Sequence, residues 1–365
     1  MKARMNRKQL VEALDVASAA TEQPKTQPLL SHVLLDCSDG AATLMGVSLI
    51  GRAWASLPAA TDGEILAAFS ADAPLAMLRR AEADDVEITA TDRRVSFTAG
   101  GSEVTMPRID AQNFPPVPDF SAPQFDTTVD AAALYEALAA VSGIPADLDS
   151  NVYKTGVRIE IAGGFLTALA ADTSRGAFRR VAVSNDVAEG AVLAYGKGLR
   201  LAVSRLKGAQ TARLALSSDG ADLLLDTEAG SWVVRALAAD RYPDIRGLFR
   251  PSDHEVLADR RALLSAAHSV EQIAALNAGF LTIMGDADGL VVGAKTSEES
   301  AVARVPHPGM PTVDDVSLNA KAFVQALESF KVDVVRLRWS TMRPFLIDDG
   351  DDTEAGAAIM PRATK

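Results

Sequence analysis

One plan recurs three times along this chain, and that repeat constrains the fold more than any single motif. Segments of helical period occupy Arg7–Ser18, Asp130–Ser142 and Asp259–Gln272. A second set occupies Ser70–Ala83, Gly196–Lys207 and Asn319–Lys331, with starts 126 and then 123 residues apart. Each second segment runs on into alternating, strand-like sequence. A period this long marks copies of a whole domain rather than the short units of a solenoid. Three copies of about 120 residues fill the 365-residue chain at the usual domain size. Two helices among many antiparallel strands make each copy α+β.

The helices carry single apolar stripes: Leu10, Leu14 and Val16 in the first, Leu134, Leu138 and Val141 in the third, Leu263, Leu264, Ala267 and Val270 in the fifth. One stripe buries one face on a sheet and leaves the other polar. Strand-like sequence is read at His32–Cys37, Thr43–Met45 and Gly51–Leu57, and a meander at Val86–Ala90, Val95–Thr98 and Glu103–Pro107, with Gly100-Gly101 as a turn. The other copies repeat this. Asp110–Phe125, with its Phe114-Pro115-Pro116-Val117-Pro118, and Arg241–Ser252 read as linkers, because prolines force an extended path. The expected domains are therefore 1–118, 126–250 and 254–365.

Net charge is −12, which argues against a broad nucleic-acid-binding surface. The charge is unevenly distributed. The six helical segments sum to +3 and everything else to −15, and Gly196–Lys207 alone holds Lys197, Arg200, Arg205 and Lys207. A solvated helix face would read the same way. One cysteine, Cys37, excludes an internal disulfide and fits a reducing compartment. No apolar run reaches the roughly 20 residues of a membrane span. The basic N-terminus leads into an amphipathic helix rather than an apolar signal core. A cytoplasmic location is expected.

Catalytic constellations are missing from the sequence. His32, His254, His268 and His307 are scattered, without metal-pair spacing. Gly46-Val47-Ser48-Leu49-Ile50-Gly51 is one residue too long for a nucleophile elbow. Gly196-Lys197-Gly198 opens a helix, but a lone tripeptide marks a helix start as readily as a phosphate site. The acidic run Asp348–Asp352 lacks a calcium loop's alternation and reads as an exposed turn. No enzyme activity, cofactor or metal is expected; a scaffold is.

Five short motifs, colinear and in register with the repeat, resemble the bacterial DNA polymerase III β sliding clamp family. They are Lys25-Thr26-Gln27-Pro28-Leu29-Leu30, Asn113-Phe114-Pro115-Pro116-Val117, Ala170-Ala171-Asp172-Thr173-Ser174-Arg175, Arg241-Tyr242-Pro243-Asp244-Ile245-Arg246 and Ile359-Met360-Pro361. The resemblance covers the whole chain as a divergent member. It implies three copies of the clamp domain per chain, and two chains joined head to tail as a ring around duplex DNA. It also implies a processivity function, nucleoid association, and polymerase and clamp-loader partners that dock short peptides.

Carried over position by position, the resemblance implies DNA contacts at Lys197, Arg200, Arg205 and Lys207, with Lys25, Arg79, Arg80, Tyr153, Lys154, Lys321 and Lys331 as further candidates. A solvated helix end explains Arg79-Arg80 equally well. The implied peptide pocket uses Lys154, Ala171, Thr173, Arg175, Gly176, Pro243, Arg246, Gly247, Ala358, Met360, Pro361 and Arg362. The family usually has leucines at 154 and 176 and an apolar side chain at 247, and its final Arg-Leu is missing here. These departures predict weaker or altered peptide preference, as in an accessory, phage-borne or antibiotic-evading clamp; a three-domain scaffold that never encircles DNA is the alternative. The implied seam pairs domain one with domain three, through Arg93, Arg94 and Arg108, Ile273 and Leu276, and Glu298 and Glu299. Glu298-Glu299 would also suit a solvated turn.

Overall fold

The structure, a computed structural model, describes residues 1–21, 28–112, 114–184, 186–238, 242–307, 313–340, 343–350 and 354–362. The first third runs β1 (Lys2–Asn6), α1 (Arg7–Ser18), β2 (Val33–Ser38), β3 (Ala41–Val47), β4 (Gly51–Pro58), the two-residue β5 (Ala60–Thr61), β6 (Ile65–Phe69), α2 (Asp72–Leu78), β7 (Asp85–Ala90), β8 (Arg94–Ala99) and β9 (Ser102–Pro107). The second runs β10 (Phe125–Asp130), α3 (Ala131–Val141), β11 (Gly156–Ala162), β12 (Phe165–Ala171), β13 (Arg175–Ala182), β14 (Gly190–Tyr195), α4 (Gly196–Val203), β15 (Thr211–Leu216), β16 (Asp222–Thr227) and β17 (Gly230–Arg235). The third runs β18 (His254–Asp259), α5 (Arg260–Leu276), β19 (Phe280–Asp286), β20 (Gly289–Lys295), β21 (Ser300–Pro306), β22 (Val313–Asn319), α6 (Ala320–Ser329), β23 (Val334–Trp339), β24 (Phe345–Asp348) and β25 (Ala355–Ile359). Apart from β5, each third is strand, helix, three strands, strand, helix, three strands. The repeat read from the sequence is real.

Contacts divide the chain into two compact units. Unit 1 is Met1–Tyr135 with Ser184–Leu237; unit 2 is Glu136–Val183 with Ala238–Lys365. Unit 1 holds a five-stranded sheet, β5-β1-β7-β8-β9, and an eight-stranded one, β10-β15-β16-β17-β4-β3-β2-β6. Unit 2 holds a four-stranded sheet, β21-β20-β19-β22, and the strand run β11-β12-β13-β25-β24-β23-β18. Every pairing is antiparallel. Within unit 1, β4 pairs with β17, joining the first third to the second; within unit 2, β13 pairs with β25, joining the second to the third.

Among the described residues, five of the six α-helices follow a strand with no intervening residue, and α2 follows β6 after Ser70 and Ala71. The sequence reading missed those six entry strands, because it began each copy at the helix. At α1, α3, α5 and α6 the strand's last residue caps the helix with its side chain. Asn6 accepts from the backbone N–H of Lys8 (3.0 Å) and Gln9 (3.2 Å), Asp130 from Ala133 (2.8 Å), Asp259 from Ala262 (2.7 Å) and Asn319 from Ala322 (2.9 Å). Each such cap is worth about 1 kcal/mol. The β1 sequence Lys-Ala-Arg-Met-Asn alternates exposed and buried positions, but alanine is a weak strand former and hides the signal.

Two of the second-set helices are shorter than their periodicity predicts. The last turn of α2 tightens at Arg80, whose N–H donates to Met77 O at 3.1 Å. After α4, Ser204–Leu206 forms a 3-10 turn, and Gly208 at φ +87° turns the chain away. Aromatic packing anchors both cores: Phe69 lies edge-on to Phe97 at 5.1 Å, and Trp339 stacks on Phe345 at 5.6 Å.

One polar feature corrects the sequence reading. Asp348 is not in an exposed turn; it sits in β24 with no exposed surface. It accepts from Arg336 Nε at 2.8 Å and Arg338 Nη2 at 2.6 Å. A buried carboxylate persists only when paired in this way.

Candidate nucleic-acid and partner interfaces

The basic residues of α4 stand opposite its apolar stripe. Leu199, Ala202, Val203 and Leu206 are buried, while Lys197 and Lys207 are exposed and Arg200 and Arg205 half-buried. Lys207 carries its ammonium 5.2 Å from the Tyr135 ring centre, a cation–π approach. Elsewhere the helix charges are offset. Arg79 ion-pairs with Asp15 of α1, whereas Arg80 and Lys321 are exposed. Lys331 ion-pairs with Glu136 of α3, which also takes Arg179 at 2.9 Å. Burial works against ionisation of Glu136, yet hydrogen bonds and charges from Lys331 and Arg179 hold its carboxyl below the usual range. Over the six α-helices seven basic residues face six acidic ones, so the positive character is local to α4 and its 3-10 extension. Lys25 lies outside the described residues.

In unit 2 the structure brings together much of the implied peptide pocket. The β12–β13 turn is closed by Asp172, which accepts from the N–H of Ser174 at 2.7 Å and of Arg175 at 3.0 Å. Arg175 donates Nε to Asp172 (3.1 Å), Nη2 to Gly143 O (3.1 Å) and Nη1 to Gln325. Across the β13–β25 pairing Gly176 lies opposite Ala358 and Arg175 opposite Ile359, and Met360 N donates to Ser174 O at 2.7 Å. Lys154 bends inward: Nζ donates to Thr173 Oγ1 at 3.1 Å and lies 3.8 Å from Asp149, leaving its side chain 14% exposed. Tyr153 packs edge-on against Tyr242 at 6.2 Å.

The structure adds three side chains that the sequence reading left out. Ile245 is buried with Leu169, Ala171 and Phe178, and Tyr242 and Phe249 pack on that group. Tyr242 donates its hydroxyl to Leu169 O at 3.0 Å, and burial pushes its pKa up. The motif Tyr-Pro-Asp-Ile-Arg held part of the signal: of the two aliphatic side chains in the linker, Ile245 and Leu248, Ile245 is the buried one. Pro243 and Arg246 are exposed, and Gly247 donates its N–H to Asp244 Oδ1 at 2.8 Å. A Cβ at 247 would lie 2.1 Å from Asp244 Oδ2, so an apolar side chain there would have to displace the Asp244 carboxylate that closes this turn. Met360 is 48% exposed, Pro361 half-buried, and Arg362 lies 4.9 Å over the Phe280 ring.

Of the implied seam residues, Arg93 and Arg94 are exposed and Arg108 half-buried, its Nη1 donating to Thr91 O at 2.9 Å. Ile273 is half-buried and Leu276 is 66% exposed, at the end of α5. Glu298 and Glu299 are exposed in a turn whose N–H groups donate to Thr296 Oγ1 at 3.3 and 3.0 Å. The nearest strands, β9 and β21, are the outer strands of their sheets.

Comparison with known proteins gives this geometry a context. Residues 1–118 match the family described as DNA polymerase III beta subunit, N-terminal domain. The beta sliding clamp of Micrococcus luteus is 24% identical over 84% of this chain and 99% of its own length. That of Streptomyces coelicolor is 25% identical over 98% of this chain and 96% of its own. The DNA polymerase sliding clamp of Bacillus subtilis superposes with a TM-score of 0.91 at 18% identity, covering all of both chains. The DNA polymerase III subunit beta of Pseudomonas aeruginosa does so at 0.90 and 19%, again over all of both chains. The chain thus has the fold of the bacterial β sliding clamps along its whole length, and its residues 1–118 match that family's N-terminal domain.

Proposed function

We propose that this protein is a sliding clamp: two copies close head to tail around duplex DNA and tether a polymerase to it. The observation that carries this reading is the pair of open edges, β9 and β21. An unpaired edge is a template for another strand. The repeat says which strand it takes. The internal junctions join the last strand of one triplet to the last strand of the next third, β4 to β17 and β13 to β25. The triplet β19–β21 then takes β9 of a second copy.

The register follows from matching turns. Ser48 N donates to Gly51 O, Asp172 N to Arg175 O and Thr296 N to Glu299 O, so Gly51, Arg175 and Glu299 are equivalent. Gly51 pairs with Val234, and Val234 stands where Met106 stands, each four residues past its turn at Gly230 or Ser102. Glu299 therefore faces Met106 of the partner subunit, and Val302 faces Glu103 of the partner subunit. Ile273 falls at the position of Ala20 and Ile144, which line the internal junctions, and so belongs to the seam.

In this reading the three domains are 1–118, 126–250 and 254–365. Lys197, Arg200, Arg205 and Lys207 meet phosphates, with Arg80, Lys321 and Lys25 as further contacts. Such contacts carry no sequence information, which suits sliding. Retention comes from closure of the ring, and the tethered enzyme rebinds at raised effective concentration. Polymerase and loader dock short peptides at the Ala171–Gly176–Ala358–Met360 surface. No chemical step is required. The ring works at the nucleoid in the cytoplasm. Sedimentation tests the core of the reading: a species of twice 38.4 kDa is expected, retained on nicked circular DNA and released on linearisation. A stable monomer that linear and circular DNA bind alike would overturn it.

A further inference from the structure

Arg7 and Arg260 open the first helices of copies one and three, and their side chains make matching contacts. Arg7 donates its Nε to Ala83 O (2.6 Å) and its Nη1 to Leu78 O (2.8 Å). Arg260 donates its Nε to Val332 O (2.7 Å) and its Nη1 to Leu327 O (3.4 Å). Each guanidinium thus brackets the stretch that leaves the second helix of its own copy. A cation there satisfies carbonyls that a helix end leaves without partners. In copy two the place belongs to Ala131. The backbone fixes the equivalence: Arg7, Ala131 and Arg260 each donate their N–H to the residue before the next strand, Asp84, Gln210 and Asp333.

A methyl group donates nothing, so residues 204–209, which follow α4, have no such bracket. The side-chain contact they receive from α3 is lighter: Lys207 Nζ lies 5.2 Å from the Tyr135 ring centre. This unbracketed stretch also differs in charge. It holds Arg205 and Lys207 and no acidic residue, whereas the bracketed stretches mix Arg79 and Arg80 with Glu82 and Asp84, and Lys331 with Glu328 and Asp333. We propose that residues 204–209 form an adjustable arm, latched by Lys207 on Tyr135 and released when Arg205 and Lys207 meet the phosphates of duplex DNA. A cation–π contact is weak while the cation stays in water, and a phosphate competes directly for the ammonium. Charge-assisted hydrogen bonds to carbonyls, as in copies one and three, hold a segment more firmly. The ligand rests on the clamp reading; the difference between copies does not.

Hydrogen–deuterium exchange of the full chain, without DNA, tests the arm. Corrected for intrinsic rates, the amides of 204–209 are expected to exchange roughly tenfold or more faster than those of 78–83 and 327–332, because local opening there breaks fewer bonds. Ala131→Arg supplies the missing donors and is expected to slow 204–209 by a similar factor. If Ala131→Arg does not fold, Arg7→Ala and Arg260→Ala decide, each expected to speed exchange in its own copy's stretch to the level of 204–209. Equal protection of the three stretches overturns the proposal, as does unchanged exchange of 78–83 in Arg7→Ala and of 327–332 in Arg260→Ala. A duplex of mixed sequence is then added. Exchange of 204–209 is expected to slow, and the Tyr135 ring resonances to shift as Lys207 leaves. A chain with the difference between copies but no response to duplex would keep the arm and overturn DNA as what releases it.

Discussion

Ile245 places its Cδ1 3.0 Å from the point where a side chain at Gly176 would begin. The apolar depression that the family resemblance implies at this position is thus occupied by the chain's own linker. Restoring the family's leucine by Gly176→Leu is expected to overpack the site and destabilise the fold by about 1–3 kcal/mol. Gly176→Leu with Ile245→Ala should recover much of the loss. Urea denaturation of the two variants checks this; equal stability of Gly176→Leu and wild type would count against the packing account.

Asp348 joins Arg336 and Arg338 without exposed surface of its own. Asp348→Ala leaves two confined guanidinium groups without their counter-charge. The expected cost is about 3–5 kcal/mol, read as a fall in the denaturation midpoint. A loss under about 1 kcal/mol would mean that water or Glu255 takes over, as at an exposed pair.

Val302 is 63% exposed on the open edge of β21. In the proposed register it faces Glu103 of the partner subunit, so Val302→Asp sets like charges across a strand pair. Self-association should weaken roughly tenfold or more, an effect of about 1.4 kcal/mol. Analytical ultracentrifugation across a dilution series would show it, with thermal stability of the monomer unchanged.

DNA contact by this chain should be localised and modestly salt-sensitive, because α4 carries most of the unbalanced positive charge. Lys197→Ala and Lys207→Ala are each expected to lower the slope of log K against log salt by about 1 if each side chain meets one phosphate. Fluorescence anisotropy on duplexes of unrelated sequence should give the same change for each. Unchanged slopes for both would move the contact surface off this helix.

Glu136 links pH to stability. Its carboxyl is held below the usual range in the folded chain, although burial alone would raise it, because Lys331 and Arg179 favour the charged form. The stabilisation is present in full above the unfolded-state value, about 4.3, and is lost as pH falls through the lower folded-state value. Glu136→Gln should therefore lose stability near neutral pH and show a flatter decline below about pH 4 than wild type. Denaturation midpoints from pH 2.5 to pH 7 test it.

The repeat, the α+β class and the two helices per copy were legible in the sequence because apolar periodicity survives divergence. Leu10 and Leu14 sit fully buried where their spacing places them. The six entry strands were not legible: β1 is five residues long, and β10 hides behind the proline-rich stretch that reads as linker. Helix ends were blurred as well, since Arg79, Arg80, Arg205 and Lys207 fall within the segments that periodicity suggested but past the ends of α2 and α4. Asp348 was misread because four aspartates in five residues look solvent-facing, and only the strand register reveals the arginines beside it. At the candidate pocket, motif matching found Arg175 and Gly176 but not Ile245, whose role depends on the absence of a side chain 69 residues earlier.

The junctions β4·β17 and β13·β25 are tied by covalent chain, whereas the proposed β21·β9 junction has no tether. Two strands joined by a linker meet at millimolar effective concentration whatever the dilution. Two strands on separate molecules meet only as often as the cell's supply of the protein allows. In the proposed ring, closure would thus be a matter of abundance: when copies become scarce, the untethered joint would part first and the folded subunits would survive intact. A ring built from one repeated joint then opens at a place fixed by which joint was left without a linker, and no weaker chemistry is needed there.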